Sequence, residues 1–215
     1  MIRAVVFDLD GVILQTEEVW DEVRGRYVVD QGGRYDEIAQ RAMMGMSAPE
    51  WSRYLADELG VPETPEEISD DVVRLMEARY HEHLPLIPGA VEAVERLAAR
   101  YTLGLASSSN RPLIDAALSL SGLDEYFAAT VSSEEVARGK PAPDVYLEAA
   151  LRLGVAAAEC AAVEDSHSGI RSAAAAGMRV IALPNPSFPP DPDTLEQADI
   201  VLDSIRDLTS DTVES

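Results

Sequence analysis

The sequence predicts an α/β protein in which a doubly wound parallel sheet carries an inserted all-helical domain. Three observations lead to this fold class. Short apolar runs alternate with segments of helical periodicity, which is typical of parallel strands joined by crossover helices. The apolar runs are nearly continuous, as expected for strands that helices cover on both faces. Residues 15–84 contain helical patterns and no convincing strand.

The alternating part of the chain supplies the strands and helices of the predicted sheet. The first strand lies within residues 4–11, which read Ala-Val-Val-Phe-Asp-Leu-Asp-Gly. Further strands are predicted at 101–106, 128–132, 160–163, 178–183 and 200–202, with helices at about 111–121, 142–153 and 167–176. Gly177 is expected to end the last of these helices, because glycine tolerates a left-handed backbone. The proline-rich residues 184–193 are expected to form a surface loop.

Residues 15–84 interrupt this alternation. Helical patterns are predicted at 17–29, 35–43, 49–59 and 65–81, separated by glycines and prolines. The chain returns through Pro85 and Pro88, which suit a domain boundary. We therefore predict two domains, a core of residues 1–14 and 85–215 and a helical domain of residues 15–84.

The composition excludes several classes of partner. The 215-residue chain has 39 acidic and 17 basic residues and a formal net charge of −22. This charge repels nucleic acid and anionic membranes, so we expect neither as a partner. A single cysteine, Cys160, excludes an internal disulfide framework and fits a reducing compartment. Without a signal pattern or an apolar stretch of membrane length, we expect a cytoplasmic protein, and we expect a monomer.

The first predicted strand ends in two carboxylates, Asp8 and Asp10. Side chains of a strand alternate between faces, so residues two apart are expected on the same side. Two carboxylates held together repel each other unless a proton or a cation offsets the repulsion, and Mg²⁺ is a usual solution. Mg²⁺ in turn implies an oxygen-rich substrate, most often a phosphate. An ordinary acidic turn would contain the same residues, so the residues at the other strand ends must distinguish a metal site from such a turn.

Three further segments carry polar side chains suited to the same site, because ligands of open α/β sheets bind at the carboxyl ends of the strands. Residues 107–110, Ser-Ser-Ser-Asn, suit an anion at a helix N-terminus, although they could simply cap that helix. Lys140 lies between prolines and could neutralise carboxylates and a phosphate oxygen; the alternative is a surface lysine. Glu164 and Asp165 form a second acidic pair, which a helix N-terminus would also favour.

In this order, the four motifs closely resemble the haloacid dehalogenase-like hydrolase superfamily, in the subgroup with a helical cap inserted between the first and second motifs. The resemblance covers essentially the whole chain. Residues 8–11 look like the first motif, Ser107 the second, Lys140 the third, and residues 164–165 the fourth. Residues 139–144 and 164–170 resemble the branch of β-phosphoglucomutase and small phosphatases. The resemblance implies a Rossmann-like core with a mobile cap.

The resemblance also implies catalytic roles. Asp8 would attack phosphorus and form an aspartyl-phosphate, and Asp10 would protonate the leaving oxygen and then activate water. Mg²⁺ would be held by the Asp8 carboxylate, the Asp10 backbone carbonyl and Asp165. Glu164 would assist in holding the metal.

Substrate-binding residues follow from the same resemblance. Ser107 and Lys140 would hold the phosphoryl oxygens, and Ser108 and Asn110 belong to the same phosphate-binding region. In the cap, Trp20 and the turn at Gly45 would face the substrate. Packing within the cap is an equally good interpretation of Trp20.

Three functions fit these motifs. The first is a Mg²⁺-dependent phosphatase of small phosphorylated metabolites; the alternative is a β-phosphoglucomutase-like phosphosugar isomerase. A catalytically silent binding protein is disfavoured, because all four catalytic positions are intact. Mutases of this branch are expected to have a histidine on the first cap helix and a basic residue after the Gly-x-Ser turn, where Trp20 and Ala48 stand here. Arg24, Arg41 or Arg53 could compensate for these departures.

Overall fold

A six-stranded parallel sheet forms the centre of the protein, in the order β3-β2-β1-β4-β5-β6. The computed structural model describes residues 1–43, 46–186 and 189–215. The strands are β1 (Ala4–Phe7), β2 (Thr102–Ser107), β3 (Phe127–Ser132), β4 (Cys160–Glu164), β5 (Arg179–Ala182) and β6 (Ile200–Val201). All neighbouring strands run parallel, as the alternation of strands and helices predicts.

The helices of the described residues connect these strands, form the insertion or, in one case, follow the last strand. The insertion contains α1 (Glu17–Asp30), α2 (Glu37–Met43), α3 (Ala48–Asp57) and α4 (Pro65–Glu82). The rest of the chain contains α5 (Ala90–Ala98), α6 (Arg111–Ser121), α7 (Asp144–Leu153), α8 (His167–Ala175), α9 (Pro192–Leu195) and α10 (Ser210–Glu214). No helix among these combines the length and hydropathy needed to cross a membrane.

Both faces of the sheet are buried, as shown by the central strand β1. Val5 and Phe7 belong to one apolar cluster, whereas Ala4 and Val6 belong to another, and all four are fully buried. Alternate side chains of one strand therefore enter two separate cores. This arrangement confirms the doubly wound sheet.

The insertion leaves the core between β1 and β2, and its described residues contain no strand. Its two connections lie side by side, because the N–H of Gln15 donates to the Pro85 carbonyl and the N–H of Ile87 donates to the Ile13 carbonyl. Buried side chains of α3 and α4, such as Leu55 and Ile68, belong to the same apolar cluster as Val5 and Phe7. The insertion and one face of the sheet therefore share an apolar cluster, and α4 packs against α6 of the core.

Some elements differ from the sequence-based expectations. β1 ends at Phe7, so Asp8 and Asp10 follow the strand instead of lying in it. Helix α5 was not predicted, although Ala90, Ala93, Val94 and Leu97 are buried at helical spacing. Helix α8 ends at Ala175, and Gly177 beyond it has a φ of +75°, as expected for a helix terminus. The start of α9 at Pro192 ends the expected loop at 184–193 early.

Candidate active site

The predicted site residues meet at the carboxyl ends of β1, β2 and β4. Asp8 follows β1, Ser107 ends β2, and Glu164 ends β4. Since β1 lies between β2 and β4, this is the point where the strand order reverses, which is where open α/β sheets bind ligands. A cavity of about 690 Å³ opens there between the core and the inserted helices.

Lys140 is buried at the centre of this site and is not a surface lysine. Its Nζ lies 3.0 Å from Asp8 Oδ1 and 2.6 Å from Glu164 Oε1, and it donates to the Ala106 carbonyl at 3.0 Å. Burial alone would lower the pKa of Lys140, but the charges of Asp8 and Glu164 raise it above its ordinary value. Lys140 is therefore a fixed cation beside Asp8.

Glu164 is fully buried, and both of its carboxylate oxygens accept hydrogen bonds. The Tyr146 hydroxyl donates to Oε1 at 2.7 Å, in addition to Lys140. The backbone N–H of Asp165 and the hydroxyl of Ser166 donate to Oε2, both at 3.1 Å. Glu164 thus fixes the position of Lys140. The sequence analysis had expected Glu164 only to assist in holding the metal.

Three buried carboxylates form the group that could hold a metal. Asp8, Glu164 and Asp165 each offer an oxygen, and these oxygens lie within 4.8 Å of one another. Asp165 Oδ1 is buried and has no hydrogen-bond partner among the described residues. Hard oxygen donors of this kind fit Mg²⁺ or a similar divalent cation.

The electrostatics of the group point the same way. Burial and the charge of Glu164 raise the pKa of Asp8 to about 8, because Lys140 offsets only part of their effect. Burial, Glu164 and Asp8 raise the pKa of Asp165 well above its usual range. The negative charge of the ionised carboxylates would therefore exceed the positive charge of Lys140. A bound cation would stabilise the ionised forms.

Gly11 allows this group to assemble. Its φ is +80°, and a Cβ at this position would lie 1.9 Å from Asp165 Oδ2. Any side chain at position 11 would therefore displace the Asp165 carboxylate.

Asp10 lines the same cavity but is held separately from the three carboxylates. Its Oδ1 accepts a hydrogen bond from the Thr16 hydroxyl at 2.5 Å, and its Oδ2 accepts one from Ser109 at 2.6 Å. Because β1 ends before either residue, strand alternation does not place Asp8 and Asp10, but both line the same cavity as expected. Besides burial, the charge of Asp10 helps to raise the pKa of Asp8. Asp10 is oriented by two hydroxyls, one before α1 and one before α6.

The polar turn after β2 divides between the cavity and the interior. Ser108 and Asn110 line the cavity. Ser107 is fully buried, and its hydroxyl accepts the backbone N–H of Ser109 at 2.9 Å. The Asn110 side chain donates to Glu134 at 2.7 Å. The structure therefore brings Ser108 and Asn110 to the cavity wall and places Ser107 behind it.

On the opposite wall, Trp20 is half-buried and both packs and faces the cavity. Its ring contacts that of Trp51 with a centroid distance of 5.9 Å, and both tryptophans line the cavity. Both interpretations of Trp20 are therefore met in part. Gly45, the other cap residue expected to contact substrate, lies outside the described residues.

Sequence reasoning missed several residues of this site. The Thr16 hydroxyl precedes a helix and could not be distinguished from a helix cap. Ser109 was expected within the polar turn 107–110, but its hydrogen bond to Asp10 was not. Tyr146 lies within the predicted helix at 142–153 and showed no separate signal. The lining residues Pro189 and Asp191 lie in the stretch that the sequence predicts to be a surface loop.

Comparisons with known proteins agree with this geometry. The family model for haloacid dehalogenase-like hydrolases matches residues 2–177. Hexitol phosphatase B of Escherichia coli (strain K12) is 32% identical over 213 residues, covering 97% of this chain and 95% of its own. The bifunctional riboflavin kinase/FMN phosphatase of Arabidopsis thaliana is 32% identical over 206 residues, or 95% of this chain, which spans only 54% of that protein.

A solved structure gives the same picture of the fold. The crystal structure of CbbY from Rhodobacter sphaeroides in complex with phosphate superposes with a TM-score of 0.89. The two chains share 27% sequence identity, and the match covers 100% of each.

Proposed function

Because the chain belongs to the haloacid dehalogenase-like hydrolase family, we propose that it is a Mg²⁺-dependent phosphatase of small phosphorylated metabolites. The observation that carries this proposal is Asp8, a buried carboxylate 3.0 Å from Lys140 that faces a cavity large enough for a small metabolite. Such a carboxylate can act as a nucleophile towards phosphorus.

In the first step, a carboxylate oxygen of Asp8 forms a bond to phosphorus while the bond from phosphorus to the ester oxygen breaks. Asp10 donates its proton to the departing oxygen, which leaves as an alcohol. Thr16 and Ser109 hold the Asp10 carboxylate in place for this transfer. Lys140 stabilises negative charge on the phosphoryl oxygens next to Asp8.

In the second step, Asp10 takes a proton from water, and the water oxygen attacks phosphorus. The bond between phosphorus and Asp8 breaks, which releases inorganic phosphate and restores the Asp8 carboxylate. Asp8, Asp165 and the Asp10 backbone carbonyl would hold Mg²⁺, which when bound neutralises charge on the transferring group.

The relatives support the class of substrate. The E. coli relative is named for the hydrolysis of hexitol phosphates, and CbbY binds phosphate in its crystal structure. Small phosphorylated metabolites of sugar-like size fit a cavity of about 690 Å³.

A phosphosugar isomerase is the second candidate, and one observation is compatible with it as well as with a phosphatase. Arg24 on α1 lines the cavity and could hold a second phosphate, as an isomerase with a bisphosphate intermediate would require. Trp20, at the position where such an isomerase is expected to carry histidine, favours the phosphatase.

One experiment tests the proposal and separates the two candidates. Phosphate release is measured for a panel of phosphorylated metabolites with Mg²⁺, with and without a chelator, and interconversion of glucose 1-phosphate is followed in parallel. We expect phosphate release that the chelator and the Asp8→Asn variant both abolish. Equal turnover with and without the chelator would contradict the metal requirement, and isomer formation without phosphate release would favour the isomerase.

A further inference from the structure

Arg24 has no polar partner in the described part of the chain, although it lines the cavity. It forms no hydrogen bond or ion pair there, and its Nε is buried without an acceptor. A buried donor without an acceptor lowers the stability of a fold, so such a group is usually explained by a ligand or by water.

Two aromatic rings hold the Arg24 guanidinium in place. Its Cζ lies 4.4 Å from the centroid of the Trp20 ring and 5.0 Å from that of Trp51. Burial lowers the pKa of Arg24 to about 10, so the side chain is still cationic at neutral pH. The two rings stabilise the cation at the cavity wall, and no acceptor among the described residues pairs with its Nε.

The neighbouring carboxylates are engaged elsewhere. Asp21 accepts a hydrogen bond from the Tyr35 hydroxyl at 2.6 Å. The Tyr35 ring lies against Gly25, where a Cβ would come within 2.9 Å of it. Asp10 already accepts the hydroxyls of Thr16 and Ser109. Burial lowers the pKa of Arg24 and the charges of Asp10 and Asp21 partly offset this effect, but neither carboxylate forms an ion pair with it in the described part of the chain.

Most of the charged residues that line the cavity are acidic, so its few cations determine where an anionic part of a ligand could bind. Seven acidic residues of the part of the chain that the structure describes line the cavity, namely Asp8, Asp10, Glu17, Glu18, Asp21, Asp165 and Asp191. Lys140 lies on the core side and already pairs with Asp8 and Glu164. Arg24 lies on α1 of the insertion and lines the same cavity, so it is a second cation that an anionic part of a ligand could contact.

We propose that Arg24 binds a second anionic group of the substrate, a phosphate or a carboxylate, at the end opposite the phosphate that is cleaved. The preferred substrates are then small phosphate esters with two anionic groups. This inference rests on the proposed phosphatase function and deepens it. The planar guanidinium suits both groups, because each offers two oxygens to a pair of N–H donors.

Matched pairs of phosphate esters test this assignment. Fructose 1,6-bisphosphate is compared with fructose 1-phosphate, and 3-phosphoglycerate with glycerol 3-phosphate, so that one pair adds a phosphate and the other a carboxylate. In at least one pair, we expect the wild-type kcat/KM to be higher for the ester with two anionic groups than for the ester with one. Arg24→Gln should lower that kcat/KM about 10- to 100-fold. It should change the kcat/KM of the ester with one anionic group less than about threefold.

Two further variants make the result specific. Arg53→Gln removes an exposed arginine of α3 that does not line the cavity, and it should leave both pairs unchanged. Arg24→Lys keeps the charge without the planar fork, and it should restore part of the preference.

Binding can also be measured without turnover. The chain has two tryptophans, and both contact Arg24, so intrinsic fluorescence reports on this part of the cavity. Asp8→Asn protein is titrated with each of the four esters in the presence of Mg²⁺. An ester with two anionic groups should bind at least about tenfold more tightly than its partner with one. Adding Arg24→Gln should remove this difference in affinity.

The outcomes separate this inference from the proposed function. If Arg24→Gln lowers kcat/KM equally for both members of each pair, Arg24 only supports the helix and the inference is overturned, although the phosphatase function stands. If no phosphate ester is hydrolysed, the proposed function fails, and the titration alone decides the inference. Equal affinity for both members of each pair would overturn it.

Discussion

At the scale of single residues, Gly11 determines how closely the chain can approach Asp165. We expect Gly11→Ala to lower kcat/KM by about 10- to 100-fold at fixed Mg²⁺ and to raise the Mg²⁺ concentration needed for half-maximal activity. The reason is that a Cβ would lie 1.9 Å from Asp165 Oδ2 and displace that carboxylate. Activity as a function of Mg²⁺ concentration measures both effects.

A matched control separates this effect from backbone strain. Gly122 has a φ of +70°, and a Cβ added there would point into open space, so Gly122→Ala introduces similar strain without a clash. Gly122→Ala should keep nearly normal activity per folded molecule. Similar losses in both variants would show that strain, and not Asp165, explains the effect of Gly11→Ala.

The same scale shows which site residues the sequence could predict. Asp8, Lys140 and Asp165 were expected at one site because each follows or precedes a recognisable element, and the structure places them together. Thr16 was not, because a hydroxyl before a helix is normally a cap, and Ser109 was expected only as part of the polar turn 107–110, not as a partner of Asp10. Their partner, Asp10, is distant in sequence from Ser109, so only the tertiary structure reveals that contact.

At the scale of elements, Glu135 joins two helices across the end of β3. It accepts hydrogen bonds from Arg111 on α6 and pairs with Arg152 on α7, whose Nη1 lies 2.7 Å from Glu135 Oε2. Burial would raise the pKa of Glu135, but the hydrogen bonds from Arg111 and Arg152 outweigh it and lower the pKa to about 2. The ionised carboxylate therefore stabilises the fold.

We expect Glu135→Gln to lower the free energy of unfolding at pH 7 by about 1–2 kcal/mol. Because the folded pKa is depressed, this stabilisation is complete above the unfolded pKa of about 4.3 and is lost as pH falls towards 2. The gap between wild type and variant in urea denaturation should therefore shrink below pH 4. Glu148→Gln removes the other carboxylate paired with Arg152 and should lower the free energy of unfolding less than Glu135→Gln does. A difference in stability between wild type and Glu135→Gln that does not depend on pH would contradict the account.

Elements with strong local signals were predicted well. The helix expected at 111–121 occupies Arg111–Ser121, because an apolar stripe precedes Gly122, whose φ is +70°. Helix α5 had a usable stripe at Ala90, Ala93, Val94 and Leu97, but we interpreted its surroundings only as a domain boundary. The early end of β1 has no local signal, because the backbone hydrogen bonds of neighbouring strands decide where pairing stops.

At the scale of the whole molecule, the net charge of −22 opposes an anionic substrate. With Mg²⁺ kept saturating, we expect kcat/KM for a phosphate ester to rise about two- to tenfold between roughly 10 and 150 mM salt, because the Debye length falls from about 30 to 8 Å. The change should lie mainly in KM. A neutral osmolyte is the control, and a fall in kcat/KM with salt would show that local cations dominate the approach of the substrate.

The arrangement of the two parts of the chain follows from the same sequence patterns. The insertion and the parallel sheet were both expected, since periodicity and apolar runs are local properties. How the inserted helices cover the core was not, because it depends on contacts between residues far apart, such as Leu55 and Phe7 in one apolar cluster. The division at residues 15–84 and the mobility of this part remain predictions.

The central claim, that Asp8 is phosphorylated during turnover, has a direct test. Asp10→Asn protein is mixed with p-nitrophenyl phosphate and Mg²⁺, because that leaving group needs no proton and the variant lacks the base that activates water. Borohydride then reduces an aspartyl-phosphate to homoserine, which peptide mass spectrometry can locate. We predict reduction at Asp8, and none when Asp8→Asn is added; reduction at another residue, or phosphate release without reduction at Asp8, would contradict the account.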